Sequence, residues 1–206
     1  MDPSTVIQSI AQDAILRFLK KMGTNSFPNH QENVSLTTRI EAVTEDWFFK
    51  DHIRPHITTG KVMAETAYSH LKDPNVQAAV AVYTALMTAL DDPEIFRTSG
   101  ARDFARMLCD GSARSDPGLL GELTRALSEV GRHFSAFNTS CIIAATVQGL
   151  GGETLWNSSS PPILEPQLND FLQYQRRMTG ASGAYAAFIW SGVGCSADMS
   201  YVRVLP

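Results

Sequence analysis

Val-Gln-Ala-Ala-Val-Ala-Val-Tyr-Thr-Ala-Leu-Met-Thr-Ala-Leu-Asp-Asp-Pro-Glu-Ile-Phe, residues 76–96, is the stretch that decides the fold. Up to Leu90 it carries a single amide, Gln77, and no charge. A helix that is apolar on most faces belongs inside a protein. Asp73 and Pro74 mark its start as N-cap and first helical residue. The apolar run is shorter than the roughly 20 residues that cross a bilayer, so it reads as the central helix of a helical bundle. It closes on Asp91, Asp92 and Glu94, and carboxylates there are costly to desolvate without compensation. They either reach water at a helix junction or hold a cation.

The flanking sequence repeats the helical period. Residues 4–22 place Val6, Ile7, Ile10, Ala14, Ile15, Phe18 and Leu19 three and four apart. A second helix is expected over 36–52, with Ile40, Val43, Trp47 and Phe48 on its buried side and Pro55 stopping it. Others are expected over 59–71, 101–109, 118–137, 139–150, 167–178 and 181–190. Gly149-Leu-Gly-Gly is expected to end the helix before it. No stretch sustains the alternation of a strand, so the fold class is all-α. Residues 191–206 have no period and no cap and read as an irregular tail to a helical domain over 1–190.

Composition narrows the function. The 206 residues suffice for one domain with a core, and a net charge of −4 favours neither nucleic acid nor an anionic membrane. No secretory leader is visible, so the expected location is cytoplasmic. Asn33-Val-Ser, Asn138-Thr-Ser and Asn157-Ser-Ser are then chance matches to the glycosylation pattern. Cys109, Cys141 and Cys195 lack metal or redox spacing and read as free thiols. His52 and His56 have the spacing of zinc ligands, but Pro55 interrupts them and no third ligand is placed.

Two clusters can carry chemistry. On a continuing helix Asp91 and Glu94 share a face, and such hard oxygens suit Mg²⁺. Equally, Asp92-Pro93-Glu94 can be the N-cap, N1 proline and first-turn acid of a new helix. Downstream, Arg176 and Arg177 sit in Phe-Leu-Gln-Tyr-Gln-Arg-Arg-Met-Thr-Gly, beside the break at Thr179 and Gly180. A guanidinium there can grip a phosphate, or can simply be solvated near a helix C-terminus, where the dipole favours it.

Together, Leu90-Asp91-Asp92 at the end of the apolar helix, Gly131-Arg-His-Phe, and residues 170–180 resemble the trichodiene synthase family of fungal class I sesquiterpene cyclases. The resemblance runs from about residue 13 to 190. It implies a lyase of secondary metabolism that ionises and cyclises farnesyl diphosphate with Mg²⁺. Asp91 would be the primary metal ligand, with Asp92 beside it and Glu94 standing in for the family's third acid, whose place is taken by Ile95. Arg176, with Arg177, would bind the diphosphate, and Thr179 and Gly180 would help trigger ionisation. Tyr83, Thr84 and Met87, one and two turns before Asp91, would line the cavity, or are core. The family's later Asn/Ser/Glu metal motif and Arg-Tyr pair do not occur here. The expectation is therefore a chain that stops before the second metal motif, with a catalytically inactive cyclase-like helical protein, binding at most diphosphate or a partner, as the alternative. Pairing of two chains as a homodimer stays open.

Overall fold

The computed structural model describes residues 3–21, 23, 32–157, 173, 174, 177, 178 and 182–189. The described residues form helices, turns and loops, with no strand among them, as the periodicity requires. The chain divides into two units, Met1–Gln31 and Glu32–Pro206. The first holds α1, Pro3–Lys21. Lys20 and Lys21 in its last turn suit the negative end of the helix dipole. Gly23 follows at φ 74°, a left-handed position, and its N–H donates to the Lys20 carbonyl at 3.1 Å.

The second unit is organised around α4, Pro74–Leu90. The Asp73 side chain accepts from the Asn75 N–H at 2.8 Å and Pro74 opens the first turn. Nearly every side chain from Val76 to Leu90 is buried. Burying one Val, Leu or Met side chain is worth about 1.5–3 kcal/mol, so this rod supplies much of the core. α2 (Val34–Thr44), α3 (Arg54–Thr66) and α7 (Leu119–His133) pack on it. The α3 contact is the tightest, because a Cβ added to Gly60 would lie 2.2 Å from the Ala81 carbonyl oxygen. Only glycine allows the two backbones this close.

α7 buries Leu119, Leu120, Leu123, Leu127 and Val130 at helical spacing. α8, Ala136–Trp156, begins at a Ser135 cap whose Oγ accepts from Asn138 N–H. α9, Ser182–Ile189, packs on α8. The Phe188 ring sits edge-on to Tyr83 and Phe134, both at 5.3 Å between centroids, and to Tyr68 and Tyr185. Such pairs add about 0.5–1.5 kcal/mol each beyond burial.

Several boundaries differ from expectation. α2 stops at Thr44, and the backbone turns through Trp47 N–H→Thr44 O and Lys50 N–H→Trp47 O. The turn buries Trp47 but leaves Val43 50% and Phe48 79% exposed. Pro55 lies in the first turn of α3, where its missing N–H costs nothing, so it begins a helix instead of stopping one. The expected helix over 101–109 is a 3₁₀ turn, Ala101–Asp103, followed by α6, Phe104–Asp110. α8 runs through Gly149-Leu-Gly-Gly to Trp156. Gly149 and Gly152 are buried there, and close packing outweighs their poor helix propensity. Within 167–178, residues 173, 174, 177 and 178 are helical and the others lie outside the described residues, as does 191–206. No helix among the described residues is long and apolar enough to cross a membrane.

Candidate active site

The acidic stretch is a junction between two helices. Asp91 closes α4, donating its N–H to the Met87 carbonyl at 3.2 Å. Asp92 has extended backbone and caps α5, Pro93–Ser99. One of its carboxylate oxygens accepts from the Glu94 N–H at 2.8 Å and the Ile95 N–H at 3.1 Å. Asp92-Pro93-Glu94 therefore has the geometry of a helix start, and the continuous helix that would set Asp91 and Glu94 on one face is not formed. Glu94 is exposed in the first turn of α5.

The two aspartates differ in electrostatics. Asp92 is fully solvated, and the Ile95 and Glu94 N–H groups hold its carboxyl below the usual range. Asp91 reaches water at its edge, yet the protein around it strips enough hydration to raise its carboxyl, with His56 opposing. Among the described residues Asp91 has no ion-pair partner.

Its charge is felt by three groups that sequence reasoning missed or assigned elsewhere. Glu153, in the last turn of α8, has its carboxyl raised by burial and then by Asp91, while Asn157 opposes. Tyr185 on α9 is raised by burial and Asp91, against the Thr84 hydroxyl beside it. Tyr83 is raised chiefly by burial. Nothing in the sequence pattern ties Glu153 to Asp91. Tyr185 does carry a weak signal, as the one phenol in an apolar, small-residue helix.

Tyr83 and Thr84 are fully buried and Met87 is 5% exposed. The Tyr83 and Thr146 hydroxyls are 2.8 Å apart, and Thr146 donates to the Ile142 carbonyl, so Tyr83 is the donor of their bond. Thr84 Oγ1 has no partner at hydrogen-bonding geometry, although the Tyr185 hydroxyl is its neighbour. These three side chains belong to a packed interior that runs up to Asp91.

Arg177 is helical and exposed, and its carbonyl accepts from Gln148 Nε2 at 3.0 Å, which ties it to α8. Arg176, Thr179 and Gly180 lie outside the described residues. Cys109 and Cys141 are free.

Mg²⁺ is commonly bound through one or two carboxylates, waters and substrate phosphates. Asp91, unpaired and partly desolvated, with Glu153 near enough to feel its charge, fits that demand. No group of three or more His, Cys, Asp or Glu among the described residues could hold a metal by itself. The acids thus fit an ion whose remaining ligands come from water and substrate.

Comparison with known proteins shows what the chain is similar to. No family model matches the chain, and no solved structure matches it. Monoterpene synthase 25 of Postia placenta is 27% identical over 198 residues, covering 96% of this chain and 59% of that protein. Terpene synthase 29 of the same fungus is 30% identical over 200 residues, 97% of this chain and 58% of its own length. Alpha-cuprenene synthase COP6 of Coprinopsis cinerea is 24% identical over 129 residues, 63% of this chain and 39% of its own length. The chain is similar to fungal terpene synthases along nearly all of its length. It spans about three fifths of the two Postia proteins.

Proposed function

We propose that this chain acts as a terpene cyclase of fungal secondary metabolism, a carbon–oxygen lyase of the trichodiene synthase type working in the cytoplasm. Its substrate would be farnesyl diphosphate, and its products a sesquiterpene and diphosphate. The observation that carries the reading is the coincidence of two facts. The likeness to terpene synthases spans 96–97% of the chain, and Asp91-Asp92 closes the most buried helix of the fold.

Asp91 would hold Mg²⁺, with Asp92 and Glu94 alongside. When bound, the ion supplies charge neutralisation that lets the allylic C–O bond ionise. Arg176 and Arg177 would grip the diphosphate oxygens through their planar forks. Thr179 and Gly180 would break the helix beside that grip. Tyr83, Thr84 and Met87 would wall the apolar chamber, where excluding water prevents early quenching of the cation and ring faces stabilise its charge.

The test is incubation of the purified chain with farnesyl diphosphate and Mg²⁺, with geranyl diphosphate in parallel, followed by gas chromatography of volatile products. A cyclic hydrocarbon from the wild type, lost in Asp91→Ala, is the expected result. Retained turnover in Asp91→Ala overturns the metal assignment. A folded wild type that yields no product favours the second reading, an inactive cyclase-like protein that binds diphosphate or a partner.

A further inference from the structure

Beyond the acid pair, lined by α5, the 3₁₀ turn Ala101–Asp103 and the end of α8, lies a groove of about 650 Å³. Its charged and polar lining is Glu94, Arg97, Arg102, Asp103, Thr154 and Asn157. Arg97 lies in the last turn of α5, and Arg102 in the 3₁₀ turn that follows. Gly100 joins the two at φ 73°, a left-handed conformation that folds the second turn back on the first.

The lining holds two carboxylates and two guanidinium groups, and they do not pair with one another. Some arginines of the unit are neutralised, Arg106 by Asp103 at 3.1 Å, Arg125 by Glu122 and Arg132 by Glu129, whereas Arg39 and Arg114 have no ion pair among the described residues. Arg97 and Arg102 have no acidic partner among the described residues. Asp103 is therefore already taken, and Glu94 is the one acid of the lining left to oppose two guanidinium groups. Each guanidinium presents paired donors that match the oxygens of a phosphate. Two of them in one groove suit an anion carrying more than one charged oxygen group.

We propose that this groove is a binding site for a phosphate-type polyanion, with Arg97 and Arg102 as its two grips. It adjoins the site proposed for the metal, sharing Glu94 with it, but its two grips, Arg97 and Arg102, have no part in that assignment. Inorganic diphosphate and the diphosphate head of an organic ester share the required chemistry. Thr154 and Asn157 lie within two residues of Trp156, an exposed indole at the end of α8 that serves as the optical probe.

The experiment is titration of the full chain with inorganic diphosphate in metal-free buffer, read by calorimetry and by tryptophan fluorescence. Orthophosphate and farnesyl diphosphate are titrated separately. Saturable diphosphate binding is expected, tighter than orthophosphate, with a fluorescence change lost in Trp156→Phe. Arg97→Gln and Arg102→Gln should each weaken it roughly tenfold, the usual effect of losing a charge-assisted grip, and the double variant should abolish it. Arg114→Gln, outside the lining of the groove, should leave the affinity unchanged. Farnesyl diphosphate binding at equal affinity, and equally lost in the double variant, identifies the shared head as the ligand. Weaker binding of the ester identifies the free anion. Absence of saturable binding by the wild type, or binding unchanged in the folded double variant, overturns the proposal. Circular dichroism certifies folding, and both side chains are exposed, so the variants should keep it.

Discussion

Tyr83 on α4 donates its hydroxyl to Thr146 on α8 across 2.8 Å in the buried interior, and Thr146 donates its own hydroxyl to the Ile142 carbonyl. The chain of donors has a direction, so its two ends are not equivalent. Tyr83→Phe removes a donor and leaves Thr146 still bonded, at a cost of about 1 kcal/mol. Thr146→Val leaves a buried phenol with no acceptor and should cost more, about 1–3 kcal/mol. Urea unfolding of both variants checks the order. A Tyr83→Phe variant less stable than Thr146→Val would reverse the donor assignment.

Asp91 offers a test that separates fold from function. Its carboxyl is raised above the unfolded value of 3.8, so the folded state prefers it protonated. Stability from that preference is present below the unfolded value and is lost as pH rises through the folded one. At neutral pH the ionised group therefore works against the fold. Asp91→Asn should melt higher than wild type at neutral pH, with the gap closing near pH 3.8. Mg²⁺ should raise the wild-type melting temperature and leave that of Asp91→Asn unmoved.

Asp92 should respond differently, because its oxygen caps α5. Asp92→Asn keeps an acceptor for the Glu94 and Ile95 N–H groups and should melt close to wild type. Asp92→Ala should melt lower. If Asp92 also supports metal, both variants should need more Mg²⁺ for half-maximal turnover. A cap-only role would leave the Mg²⁺ requirement of Asp92→Asn at the wild-type level.

The α3–α4 contact makes Gly60 a sensitive position. A methyl group there would meet the Ala81 carbonyl oxygen at 2.2 Å and the Ala85 nitrogen at 2.9 Å, both backbone atoms. Gly60→Ala should destabilise by about 1–3 kcal/mol or more, despite the better helix propensity of alanine. Thermal unfolding followed by circular dichroism measures it.

Alkali should loosen the aromatic cluster. Tyr68 donates its hydroxyl to the Tyr185 carbonyl, and burial with Tyr185 nearby pushes its pKa up to about 12 from 10.0. Its contribution to stability is complete below 10.0 and is lost as pH rises toward 12. Unfolding free energy should fall across that window, with tyrosinate absorbance rising in step. Tyr68→Phe should flatten part of the decline.

How much of this could be read from the chain varies by residue. α4 was legible because Asp73, Pro74 and an unbroken apolar run agree, and local and global preferences coincide there. The new helix after Asp92 was legible as one of two readings, and the structure forms it. Trp47 is buried as expected, but Phe48 misled, since its spacing continues the period of α2 while the backbone has already turned. Pro55 misled because the residue that ends one helix can open another. Gly149-Leu-Gly-Gly misled because glycine's cost in a helix is small beside the packing it permits. Around the candidate site, the burial of Tyr83 and Thr84 followed from the apolar character of α4. Glu153 and Tyr185 did not, because only the tertiary fold brings them within reach of the Asp91 charge.

The capping arrangement at residues 91 and 92 has a mechanical consequence. Asp91 terminates a rod welded to its neighbour through Gly60, whereas Asp92 is anchored to the short helix beyond. Adjacent carboxylates thus belong to different helices, joined by a single peptide knuckle. Swinging α5 would change the bite between them while the girder of α3 and α4 stayed still.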